Sequence, residues 1–137
     1  MTIPVYWLDN AQTIMVADFP ALWTLEQFKA MRQQVIALAR SVDHQIVVIL
    51  NGEKSQQIPP NFIPYAGMLI RERERPITNV RAYFIVTHNR LIRTMYEAFV
   101  RVQGTGTFGN RLFLVSTLEE ARQAGQKYMH HFTQEKP

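Results

Sequence analysis

The chain has 137 residues, no cysteine, and 15 Lys and Arg against 11 Asp and Glu, for a formal charge of +4. A disulfide framework and a thiolate metal site are thereby excluded, and no apolar run approaches the length of a bilayer-spanning helix. The length predicts one domain, 1–137. The basic balance permits attraction to phosphates, but the arginines are scattered rather than clustered on one element, so no nucleic acid is expected as a partner.

The amino-terminal stretch MTIPVYWLDNAQTIMVADF has no basic segment followed by an unbroken apolar one. It predicts a soluble, unprocessed, cytoplasmic chain. Residues 5–8 and 13–18 are strand-like, and Asp9, Asn10, Ala11 and Gln12 between them suit a tight turn, which predicts a hairpin. Thr24-Leu25-Glu26-Gln27 matches a capping box. Leu25, Phe28, Met31, Val35 and Leu38 follow at helical spacing, which predicts an amphipathic helix over 25–41.

Ile46 to Leu50 is a short β-branched run that predicts a buried strand. Pro59 or Pro60 suits the first turn of a helix over 61–74, while Pro64 predicts an irregular start and Pro76 an end. Residues 80–87 give a further strand. Asn89 suits the cap of a helix carrying Leu91, Ile92, Met95, Phe99 and Val102, stopped by Gly104. Residues 111–115 predict the last strand, and Ser116-Thr117-Leu118-Glu119-Glu120 offers two overlapping capping boxes for a terminal helix presenting Leu118, Ala121 and Tyr128. The order β-β-α-β-α-β-α-β-α predicts an α/β fold with a mostly parallel sheet and an antiparallel amino-terminal strand.

This order, with the phrases NVRAYFIVTHNRLIRTMYEAF and RLFLVSTLEEA, resembles the STAS-like fold of bacterial anti-sigma-factor antagonists and sulfate-transporter tails, and in particular small stand-alone bacterial members. The resemblance implies a non-enzymatic regulatory domain that works through a protein partner and needs no cofactor. It also implies a phosphorylatable Ser or Thr in an Asp-Ser-x-Gly-like motif after the strand 46–50. Here that segment reads Asn51-Gly52-Glu53-Lys54-Ser55, so the motif is absent, and Ser55 is a hydroxyl in the same neighbourhood without matching the position. Asn51, Glu53, Lys54 and Ser55 are the expected interaction segment.

Several other patterns carry less. Gly52-Glu53-Lys54-Ser55 lacks the Gly directly before Lys, and the earlier Gly, that a phosphate-binding loop requires. Gly104-Thr105-Gly106-Thr107-Phe108-Gly109 follows a predicted helix and precedes a strand, the reverse of a dinucleotide-binding turn. His130 and His131 are adjacent and diverge on a helix, so no metal site is expected. His88 and Asn89 end the strand 80–87 and share a predicted rim with Asn51, Glu53 and Ser55. That polar rim is the place for a small hydrolase or transferase using His88, one alternative to a regulatory role, the other being a binding protein for a small apolar or anionic ligand.

Arg71-Glu72-Arg73-Glu74-Arg75 predicts weak ion pairs at a helix end. Arg90, Arg93, Glu97 and Arg101 predict a solvent-facing stripe. The strands 46–49 and 112–115 are apolar on both faces, so both faces of the sheet need cover. A STAS-like sheet tends to carry its helices on one side. The second face is then left to the opening hairpin, to self-association as a homo-oligomer, or to a small apolar or anionic ligand. The methionines with Trp7, Phe19, Trp23, Phe62 and Tyr65 are candidates to line such a ligand pocket.

Overall fold

The computed structural model describes residues 2–71, 79–90, 92–94, 97 and 112–135. Apolar alternation and β-branched composition produce five strands: β1 (Val5–Trp7), β2 (Ile14–Asp18), β3 (Ile46–Asn51), β4 (Val80–Val86) and β5 (Leu112–Val115). The helices are α1 (Leu25–Arg40), α2 (Phe62–Arg71) and α3 (Leu118–Glu135), with further helical residues at Arg90, 92–94 and Glu97. The strands lie side by side in chain order, β1 antiparallel to β2 and all other neighbours parallel. The predicted α/β architecture is thus the observed one.

The hairpin between β1 and β2 is closed by one carboxylate. Asp9 accepts from the amides of Thr13 at 2.9 Å and Ile14 at 3.0 Å, and from the Thr13 hydroxyl. Gln12 takes the left-handed conformation the turn requires, with φ 57°. Partial burial pushes the Asp9 carboxyl up, but the hydrogen bonds from Thr13 and Ile14 together hold it below the usual carboxylate range. A carboxyl with a folded pKa below its unfolded one stabilises above the unfolded pKa, and this is lost as pH falls through the folded one. Asp9→Ala is therefore expected to lose about 1–2 kcal/mol of stability at neutral pH. In urea unfolding the difference from wild type should disappear below the ordinary Asp range; a difference independent of pH would contradict the assignment.

The capping box on α1 forms as its sequence predicts: Thr24 accepts from the Gln27 amide at 3.1 Å, and the Gln27 side chain accepts from the Thr24 amide at 2.8 Å. Proline behaves differently from the prediction at α2. Pro64 is its third residue, where the amide has no intrahelical acceptor, so its missing N–H costs no helical bond and the helix runs on from Phe62.

Both faces of the sheet are covered from within the chain. Met15, Ala17, Ile46 and Val48 point to one face, under Phe28, Met31, Val35 and Ala39 of α1 and under Phe62 and Tyr65 of α2. Ile14, Val16, Val47 and Ile49 point to the other, under Leu118, Ala121, Ala124 and Tyr128 of α3. The second face was left by the sequence to the hairpin, self-association or a ligand, and the terminal helix takes that place. Gly125 lies where the helix meets the sheet, and a Cβ there would stand 3.4 Å from Val47 Cγ1, at ordinary contact distance. The aromatic residues suggested as pocket lining for that face, Trp7, Phe19, Trp23, Phe62 and Tyr65, lie in the opposite cluster and pack with α1 and α2.

One irregularity sets the faces of β4. Ile46 pairs with Val80 and Val47 with Ala82, so Arg81 is an extra residue. Such a bulge exchanges the faces of the residues on either side. Val80 accordingly belongs to the α1 cluster, and Ala82, Phe84 and Val86 to the α3 cluster. Among the described residues, no helix is long and apolar enough to cross a membrane.

Candidate functional site

Because β2 to β5 are parallel, their carboxyl ends share one rim, and the loops leaving them bring the candidate residues together. Asp18 and Asn51 end β2 and β3 opposite each other, and Asn51 opposes Val86 of β4. Asn51 is only 5% exposed. Its amide nitrogen donates to Asp18 Oδ1 at 2.8 Å and its oxygen accepts from the Glu53 amide at 3.3 Å. Both halves of a buried side-chain amide are thus used, as burial requires.

After Asn51 the chain turns sharply. Gly52 donates to Val86 O at 2.8 Å, and Ser55 donates its amide to Gly52 O at 3.1 Å, closing a turn with Glu53 and Lys54 at its tip. Two residues of this turn, Glu53 and Ser55, reach elements on opposite faces of the sheet. Glu53 Oε1 accepts from the Leu118 amide at 2.8 Å, in the first turn of α3. On the other side, Ser55 Oγ accepts from the Trp23 indole N–H at 2.8 Å and donates to Gln57 O at 3.4 Å, while the Gln56 amide donates to Ala21 O at 2.9 Å.

Sharing the rim does not bring Ser55 and His88 into a hydrogen bond with each other. His88 is exposed at the end of β4, and the Ser55 hydroxyl bonds Trp23 and Gln57. Asn89 acts as a cap, its side chain accepting from the Ile92 amide at 3.3 Å and its carbonyl from the Arg93 amide at 3.2 Å. Arg93, expected on a solvent-facing stripe, is half-buried and donates to Thr87 O at 3.3 Å and Ser116 Oγ at 3.1 Å, tying the ends of β4 and β5. At α3, Thr117 accepts from the Glu120 amide at 3.0 Å, and Glu120 reaches back to the Ser116 amide rather than to Thr117. Only one of the two overlapping capping patterns supplies the cap.

Beside this rim lies a shallow, open groove of about 460 Å³ between residues 22–26 and 57–61, with Leu22, Trp23, Ile58, Pro59 and Pro60 as its apolar surface. Trp23 is fixed in its wall by ring contacts as well as by Ser55. It meets Phe62 edge-on with centroids 5.1 Å apart and lies 6.0 Å from Phe28. Trp23 precedes the cap residue and Phe28 is the fourth helical residue, so the pair is a hydrophobic staple. Leu22, one residue earlier, has no such cover and is 63% exposed.

Sequence reasoning placed the interaction segment in this loop but missed Leu22, the staple and the Glu53 contact with α3. The staple had a signal: an apolar residue on either side of a capping box, at Trp23 and Phe28. The ion pairs expected over 71–75, the residues Met95, Phe99 and Arg101, and the glycine-rich run 104–109 lie outside the described residues. Among the described residues, no group of three His, Asp or Glu side chains is placed to hold a metal. No family model matches the chain, and neither a curated protein nor a solved structure matches it.

Proposed function

We propose that this chain is a non-enzymatic regulatory or protein-interaction domain of STAS-like type, and that it holds an apolar anchor of a protein partner in the groove between residues 22–26 and 57–61. The observation that carries the reading is Leu22. A large aliphatic side chain 63% exposed on a largely apolar groove, beside a tryptophan held by a hydrogen bond and by ring contacts with Phe19, Phe28 and Phe62, makes the kind of exposed apolar patch that marks an interaction site. The prolines at 59 and 60 restrict the opposite wall, so little conformational freedom is lost on binding.

The STAS-like assignment is supported by the order of elements and by the position of this loop at the end of β3. The loop lacks the phosphoswitch motif, and its Ser55 hydroxyl holds Trp23. Phosphorylation at Ser55 would remove the proton donated to Gln57 O and set a bulky anion beside the Trp23 indole, so any such modification would act on the groove wall itself.

Peptide selection against the whole chain tests the reading. Selected peptides are expected to share one large apolar residue, to shift the amide resonances of 22–26 and 57–61, and to bind Leu22→Asp about tenfold or more weakly. The substitution is expected to change stability by less than about 0.5 kcal/mol, since the side chain is exposed. Peptides that map to another surface, or that bind Leu22→Asp as well as wild type, would sink the proposal.

A further inference from the structure

The turn after β3 touches two bodies that lie on opposite faces of the sheet. On one side the Glu53 carboxylate accepts the Leu118 amide at 2.8 Å. A negative charge at this place favours the first turn of α3, because the amides there lack helical acceptors and the helix dipole is positive at that end. On the other side, two positions along, the Ser55 hydroxyl holds the Trp23 indole at 2.8 Å. Between them the turn is short and braced by Gly52 N–H on Val86 O and Ser55 N–H on Gly52 O.

We infer that this turn links the docking of the terminal helix to the position of the groove wall, so that release of α3 at Glu53 loosens Trp23, and displacement of Trp23 loosens the start of α3. The inference rests on the groove reading only for its purpose: a partner anchor that presses on Trp23 would be felt at the helix on the far face. The linkage itself is a property of the chain alone, and any such coupling acts equally in both directions. The strand end cannot absorb the movement, since Asn51 is fixed to Asp18 and Gly52 to Val86, so a shift of the turn passes to its two outward contacts.

Hydrogen exchange followed by NMR on the whole chain, without any partner, tests this. Glu53→Ala is expected to speed exchange of the 118–121 amides on the order of tenfold, and that of the Trp23 indole N–H by at least about twofold. Ser55→Ala is expected to speed exchange of the 118–121 amides although it touches no residue of α3. Glu53→Gln, which keeps an acceptor of the same shape, should lie between wild type and Glu53→Ala and guards against a variant that fails to fold. Faster exchange at α3 with an unchanged indole in Glu53→Ala, or an unchanged α3 in Ser55→Ala, would overturn the linkage. Equal changes on both sides in Lys54→Ala would also overturn it, because the turn would then be failing as a whole. Peptide selection and this experiment stand apart: either can fail while the other succeeds.

Discussion

Phe28→Ala is expected to lower the unfolding free energy by about 3–5 kcal/mol. Phe28 is 8% exposed and its ring centroid lies 4.9 Å from Phe62, 6.0 Å from Trp23, and 6.1 Å from both Phe19 and Tyr65. These four rings come from the end of β2, the turn before α1, and α2. Such walls cannot all move inward at once, so the cavity stays open and adds its own cost to the lost transfer energy. Phe28→Leu, which restores most of the volume, is expected to cost less than about 1.5 kcal/mol. Urea unfolding of both variants measures the difference. A loss below about 1 kcal/mol in Phe28→Ala would mean that the ring cluster is not packed as described. Because Phe28 is half of the staple that fixes Trp23, its truncation is also expected to weaken any peptide seated in the groove.

The reach of the sequence follows from how local each determinant is. The capping box at Thr24 and the apolar spacing of α1 are contained within sixteen consecutive residues, and β3 announces itself by four β-branched residues in a row. Chain order then fixes which strands are parallel. Cover of the second face was hidden because the apolar stripe of α3 does not say on which side of the sheet the chain returns after its last strand. Gly125 was the available hint, as a small residue where the helix meets Val47. Likewise the contacts that Glu53 and Ser55 make within the chain were hidden, because their partners are 65 residues later and 32 residues earlier. Leu22 was invisible for a related reason: only the fold brings residues 57–61 beside it, and an exposed leucine alone carries no information.

Gly52→Ala is expected to destabilise the chain by about 1–3 kcal/mol although it adds a single methyl group. A Cβ on Gly52 would stand 2.8 Å from Val86 O, the same oxygen that accepts the Gly52 amide. Both sides of that contact are backbone at the ends of adjacent parallel strands, so neither yields by turning a side chain, and relief requires the strand ends to separate. Separation breaks the Gly52 bond and moves Glu53 away from Leu118, so faster exchange at the start of α3 is expected with the loss of stability. Gly125→Ala is the contrasting case. Its Cβ would meet Val47 Cγ1 at 3.4 Å, an ordinary contact with a side-chain methyl. There the helical position favours alanine over glycine by about 0.5–1 kcal/mol. The same substitution is therefore expected to be costly at the strand end and neutral or stabilising in the helix. Equal costs at the two sites would show that the limit at Gly52 is not set by the Val86 carbonyl.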